Sequence, residues 1–309
     1  MKIIVIGAGA MGCLYGAYLS KHNDVTMLDV YEPQVESINQ NGITVLEEDG
    51  AEQHFSNIRA MKSGTCKEVA DLVIVFVKST HTESSLEENK ELFGENTLVM
   101  TLQNGAGNDR KIAKYVKTEN IIIGTSKHNS VNLGGGKIRH SGNGVTTIGS
   151  NLKENVHLQT VADLLSEAGF QSAVSDDIQR IIWSKLFVNL SINTFTAITE
   201  TPIAYMIENQ YAWDFAEKMI CEAVDVAEAD GTYFSYMEVL DMVHHVCENA
   251  GKGYSSMYQD VKRCIPTEID AINGAIVEQA RRYNVSVPYN SLIVDLIHAI
   301  EGAYKYRKE

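Results

Sequence analysis

The chain opens with "KIIVI", a short apolar run rich in β-branched residues, followed by "GAGAMG" and then by "CLYGAYLSKH", whose apolar residues recur at helical spacing. That order predicts a strand, a glycine turn and a helix. "DVTMLD" reads as a second strand, and "GITVLEE", "DLVIVFVK", "NTLVMTLQ", "NIIIGTS" and "VTTIGS" as further strands with helical or turn segments between them. Apolar strands alternating with helices predict a parallel sheet covered on both faces. From about residue 176 the strand signals stop and long amphipathic patterns take over, among them "DIQRIIWSKLFVNLSINTFTAI", "AWDFAEKMICEAVDVAEADG", "TEIDAINGAIVEQARRYN" and "NSLIVDLIHAIEGAYK". The expected fold class is α/β, with a doubly wound N-terminal domain over residues 1–175 and an all-helical domain over 176–309. A crevice between two such domains is where a small molecule is expected.

The glycines add chemistry to the first element. Gly7, Gly9 and Gly12, with Ala10 and Met11 among them, form G-x-G-x-x-G between a strand and a helix, the context in which that spacing lets backbone approach a pyrophosphate. Asp29 ends the second strand, 17 residues after Gly12, where a carboxylate accepts hydrogen bonds from an adenosine ribose and repels a 2'-phosphate. It favours NADH, with NADPH still allowed; the plainer reading is a turn residue closing a strand. Ligands of such sheets bind beyond the carboxyl ends of the strands, so Lys78 after "VIVFV" and Asn104-Gly105 after "LVMTLQ" are candidates for cofactor contact, or solvated loop residues.

In the second half, "WSKLFVNLSIN" places Lys185, Asn189 and Asn193 at two successive intervals of four, within a sector of roughly 80° on a helix. Such a stripe is either a solvated outer face or, because apolar residues nearly encircle the helix, a set of buried polar groups that form a site. In "GYSSMYQDVKRCIPTEIDAINGA", Pro266-Thr267 reads as a helix start with Glu268 in its first turn, and Ser256 lies on a Ser-rich turn upstream. Glu268 is a surface acid or a functional one, and Ser255-Ser256 a helix cap or a ligand contact; pattern alone leaves both open.

Composition narrows the partners. A length of 309 residues exceeds what one core comfortably supports, in keeping with two domains. The formal net charge of -14 argues against nucleic acid or an anionic membrane, and no stretch reads as the roughly 20 apolar residues of a membrane helix. Glycines interrupt the N-terminal apolar run, which therefore does not read as a signal peptide. The 5 cysteines are scattered without a CxxC pair, as expected of reduced thiols in the cytoplasm. Adjacent His244 and His245 diverge by roughly 100° on a helix, so with Cys247 they make no metal site.

Together the N-terminal glycine fingerprint, "QNG", "WSKLFVNLSINTFTAI" and "SSMYQD…TEIDAINGAI…VP" resemble the ketopantoate reductase (2-dehydropantoate 2-reductase) family over nearly the whole chain. The resemblance implies a Rossmann-type N-terminal domain, a helical C-terminal domain, and hydride transfer from a nicotinamide to the carbonyl of a 2-oxo acid. By motif it makes Lys185 the catalytic lysine, Glu268 the catalytic acid, Asn189, Asn193 and Ser256 substrate contacts, and Asn104 an asparagine on the cofactor side that also reaches substrate. The chain departs from the family's usual pattern at Asp29-Val30-Tyr31, where a basic or neutral polar residue favours NADPH, and at Pro202-Ile203-Ala204, near which many members carry an Asn-Gly pair. These departures admit an NADH-linked D-2-hydroxyacid dehydrogenase acting on branched or aromatic 2-oxo acids. A non-catalytic dinucleotide sensor is a third reading, disfavoured by the intact Lys185 and Glu268. Oligomeric state stays open, a homodimer included.

Overall fold

The computed structural model describes residues 1–307, which divide into two compact units: residues 1–103 with 108–178, and residues 104–107 with the described residues from 179 onward. In the first, β1 (Lys2–Ile6), α1 (Ala10–Leu19), β2 (Asp24–Asp29) and α2 (Glu32–Asn41) lead to β3 (Ile43–Leu46), β4 (Glu52–Phe55) and β5 (Arg59–Lys62). Then come β6 (Leu72–Val75), α3 (Thr82–Glu88), β7 (Leu98–Thr101), α4 (Asn108–Ile112) and β8 (Ile121–Ser126), the hairpin β9 (Asn129–Gly134) and β10 (Lys137–Gly142), and β11 (Val145–Gly149), α5 (Leu158–Ala168) and β12 (Gln171–Val174).

The main sheet runs β12-β11-β8-β7-β6-β1-β2-β5. Its central strands β6, β7, β1 and β2 are parallel and buried, as their unbroken apolar runs require. Because β6 and β2 flank β1, the strand order reverses at β1, and the Gly7–Gly12 turn leaves the sheet at that switch point.

Two strand expectations are corrected. "VTTIGS" becomes β11, which pairs antiparallel with β8, because a hairpin and no crossover helix joins them. "GITVLEE" supplies β3 to a separate four-stranded sheet, β4-β3-β10-β9, and not to the main one. This second sheet packs on α1 through β3, β9 and β10. Thus α1, which also meets β1 and β2, is enclosed on more than one side, and nearly every residue from Gly12 to Leu19 is buried. Its sequence, apolar on every face, suits that position.

The second unit is helical: α6 (Ile178–Val188), a π-helical turn (Asn189–Asn193), α7 (Thr194–Thr199), α8 (Tyr205–Glu208), α9 (Gln210–Ala229), α10 (Tyr236–Asn249), α11 (Ser256–Lys262), α12 (Asn273–Tyr283) and α13 (Pro288–Gly302). Its core gathers Trp183, Phe187 and Leu190 against Met219, Ile220, Ile276 and Ile297. The run Ile178–Thr199 is long and apolar enough by length and composition to cross a membrane, contrary to the reading that no stretch is. More than half of its most apolar window is buried in the protein, which explains that composition by packing. Pro266-Thr267 also does not begin an α-helix. Thr267 Oγ1 accepts from the Ile269 backbone N–H at 3.2 Å, making a side-chain turn that a short 3₁₀ segment, Ile269–Ala271, continues before α12 starts at Asn273.

Candidate active site

The three glycines that follow β1 differ in what a side chain would meet there. Gly7 has φ +103°, and a Cβ there would come within 2.9 Å of Phe76 and Val77 backbone. Gly12 packs so closely that its Cβ would stand 1.8 Å from the Gly7 carbonyl oxygen. Gly9 differs: a Cβ on it would meet nothing within 4 Å. It is the N-cap of α1 and has no side chain to offer the first N–H groups of the helix, so this end suits an anion such as a pyrophosphate.

Beside the turn lies a cavity of about 400 Å³ lined by Ala8, Gly9, Asp29, Tyr31, Gln34 and Asn132, with Gly134 and Gly135 of the β9–β10 hairpin. Asp29 Oδ2 accepts the Ala8 N–H at 2.7 Å and Oδ1 the Tyr31 N–H at 2.9 Å, which fixes the carboxylate at the mouth of this cavity. Gln34 Nε2 donates to the Ala8 carbonyl at 2.9 Å and so holds the turn from the other side. Cys13 in α1 donates its thiol to the same carbonyl at 3.2 Å, and burial pushes its pKa up to about 12, so it is a packing group and not a nucleophile. Lys78 is exposed, at the N-cap of the turn that follows β6.

In the helical unit, α6 delivers Lys185, half-buried, and the π turn begins at Asn189 and ends at Asn193, which is 8% exposed. Four residues of α-helix overshoot a full turn by about 40°. A π turn holds more residues per turn and falls short instead, so Asn193 swings back toward the direction of Lys185. The three polar side chains therefore share a narrower sector than even helical spacing implies.

Glu268 stands at the start of the 3₁₀ segment, and its Oε2 accepts from Asn104 Nδ2 at 2.8 Å. Asn104–Gly107, though it follows β7 in the chain, belongs to the helical unit. Gly105 there has φ +91°, and a Cβ would lie 2.2 Å from the Ala271 carbonyl oxygen, so only glycine lets the "QNG" segment lie against the turn that carries Glu268. Ser255, not Ser256, caps α11: its Oγ accepts the Tyr258 N–H at 3.1 Å and lies 2.7 Å from Thr196 Oγ1 on α7. Ser256, the first residue of α11, is exposed, and α11 packs on α7 and on the π turn.

Of the candidates, then, Asn104 and Glu268 are hydrogen-bonded, Lys185, Asn189 and Asn193 share a helical run, and Ser256 adjoins a serine tied to that run. The residues Gly7, Gly9, Gly12, Ala10, Met11, Asp29 and Lys78 are in the other unit. Three contributors escaped the sequence reading. Gln34 has no motif to mark it. Gln103, just before Asn104, donates to the Val77 carbonyl at 2.6 Å and to Thr82 Oγ1 at 2.9 Å, bracing the loop after β6. Gly134 and Gly135 wall the cavity beside the glycine turn, and the run of three glycines, Gly134–Gly136, was a legible turn signal with no evident purpose.

Comparison with known proteins places these features in context. A family model described as ketopantoate reductase PanE/ApbA matches residues 3–153, and one described as ketopantoate reductase PanE/ApbA C terminal matches residues 177–301. A 2-dehydropantoate 2-reductase from Lactococcus lactis is 33% identical over 312 residues, 99% of each chain. The ternary structure of D-mandelate dehydrogenase with NADH and anilino(oxo)acetate is similar at a TM-score of 0.88 and 30% identity, over 99% of this chain and 100% of that one. A PanE/ApbA family ketopantoate reductase from Ralstonia eutropha is similar at a TM-score of 0.86 and 26% identity, again over 99% and 100%.

Proposed function

The chain belongs to the ketopantoate reductase family and is an NAD(P)-dependent oxidoreductase, and from that premise we propose that it reduces the C2 carbonyl of a 2-oxo acid, 2-dehydropantoate to (R)-pantoate. The observation that carries the reading is the gathering, within one unit, of the Lys185–Asn189–Asn193 run and the Asn104–Glu268 pair. A bound reduced nicotinamide would supply hydride to C2, which would leave negative charge on the carbonyl oxygen. An ammonium within hydrogen-bond reach stabilises that oxygen and delivers the proton that completes the hydroxyl, which is the role of Lys185. Glu268, held by Asn104, orients Lys185 or the new hydroxyl. Asn189, Asn193 and Ser256 grip the carboxylate and hydroxyl so that C2 is held for attack.

The cofactor reading is NADH. Asp29 is fixed at the cavity beside the glycine turn, and among the described residues no lysine or arginine lines that cavity to meet a 2'-phosphate. That observation favours a second reading, an NADH-linked D-2-hydroxyacid dehydrogenase for branched or aromatic 2-oxo acids, and the likeness to D-mandelate dehydrogenase supports it too. Steady-state kcat/KM for 2-dehydropantoate, 2-oxoisocaproate and phenylglyoxylate, each with NADH and NADPH, separates the two. 2-Dehydropantoate as the best of the three supports the first reading; as the poorest, it removes that reading in favour of the second.

A further inference from the structure

The asparagines of "INGAI" and "VPYN" have no part in the chemistry above, yet Asn273 and Asn290 are both 0% exposed. Asn273 opens α12, and its Nδ2 donates to the Leu190 carbonyl at 3.2 Å and to Asn290 Oδ1 at 3.0 Å, with Met219 Sδ at 3.8 Å. Acceptors around that nitrogen fix the orientation of the amide. Asn290 Nδ2 donates in turn to the Met219 carbonyl at 3.1 Å and to Glu222 Oε2 at 2.8 Å. Glu222 is 8% exposed and takes two more donors from the start of α13, the backbone N–H groups of Tyr289 at 2.8 Å and Asn290 at 2.9 Å. A buried carboxylate is tolerable when it is matched in this way at a helix N-terminus. The result is a line of polar groups from Glu222 through Asn290 and Asn273 to one backbone carbonyl, with the buried Asn273 Oδ1 left without a hydrogen-bond partner.

That carbonyl lies inside the π turn, between Asn189 and Asn193. Leu190 O also accepts from Thr194 Oγ1 at 2.7 Å, so two side chains address it. A π turn shifts the hydrogen-bond ladder by one residue, and a buried backbone acceptor must be matched wherever the ladder is irregular. We propose that Asn273, anchored by Asn290 and Glu222, is a positioning residue that with Thr194 holds the π turn, and so sets the direction of Asn193 relative to Lys185 and Asn189. Healing the turn into α-helix would rotate everything beyond it by about one residue, roughly 100°. The inference rests on the reading that these three side chains meet the 2-oxo acid.

The test compares Asn273→Ala, Thr194→Val and Thr194→Ser in the full-length enzyme, with Lys185→Ala beside them. It measures kcat, KM for the 2-oxo acid, the primary isotope effect with 4-deuterated NADH, and NADH affinity. Asn273→Ala and Thr194→Val are expected to lower kcat about 10- to 100-fold, raise KM and enlarge the isotope effect, with NADH affinity unchanged and Thr194→Ser restoring turnover. A merely structural role would reduce only the amount of active enzyme, leaving KM and isotope effect as in the wild type. That outcome, or Thr194→Ser behaving like Thr194→Val, overturns the inference. Should Asn273→Ala fail to fold, the two Thr194 variants decide it alone. Full turnover in Lys185→Ala would instead overturn the reading of the site itself.

Discussion

Both oxygens of Asp29 accept a backbone N–H, so its charge is held in place at the cavity beside the glycine turn, and on the proposed reading it would face a 2'-phosphate bound there. Asp29→Asn keeps the acceptor on one side and removes the charge. It is expected to raise the NADPH to NADH ratio of kcat/KM by about 10-fold, equivalent to about 1.4 kcal/mol. An unchanged ratio would make Asp29 a turn residue only. At this scale the sequence revealed spacing but not partners. Lys185, Asn189 and Asn193 stood out because polar residues at intervals of four interrupt an apolar helix. The bond from Asn104 to Glu268 joins residues 164 apart, and no local pattern encodes it.

Among the elements, the Gly7–Gly12 turn and α1 make a sharp contrast available. Gly9→Ala is expected to leave the melting temperature unchanged, since its Cβ meets open space, while weakening NADH binding by crowding the pyrophosphate. Gly12→Ala, whose Cβ would overlap the Gly7 carbonyl, is expected to cost about 1 to 3 kcal/mol of stability as well. Thermal melts with NADH fluorescence titrations check both; equal destabilisation by the two would refute this division of roles. The buried parallel strands were legible because each is a continuous apolar run. Strands β4, β9 and β10 were not, because they are half-exposed and mix charges, amides and glycines with few apolar residues. Nor was the π turn, since the groups that meet its carbonyl come from Thr194 and from Asn273, the latter 83 residues away.

For the molecule as a whole, each unit has its own apolar core, and the first also encloses a titratable group. His128, 5% exposed, faces the rings of Tyr15 and Phe170, and its Nδ1 lies 3.0 Å from His140 Nε2, which is backed by Glu47 at 2.9 Å and, through Glu47, by Tyr18. Burial first, and His140 second, push the His128 pKa down from 6.5 to about 4. Between those values the unfolded chain binds the extra proton, so this contribution to stability is complete above pH 6.5 and is lost as pH falls toward 4. Melting temperatures across that range are expected to fall more steeply for the wild type than for His128→Gln; parallel curves would show that His128 is not the group responsible. The α/β class with a helical second half was legible because periods of two and of 3.6 separate cleanly along this chain. The second sheet was not, since strand pairing depends on distant partners.

The reading of this enzyme turns on Lys185 as the donor to a carbonyl oxygen that gains charge during hydride transfer. The most direct measurement is turnover of NADH with saturating 2-oxo acid by the wild type and by Lys185→Ala, with NADH affinity determined for both. The expected result is product formation by the wild type and a loss of kcat of about 100-fold or more in the variant, at unchanged NADH affinity. Near wild-type turnover by Lys185→Ala, or a wild type that binds NADH and reduces no 2-oxo acid, would contradict it.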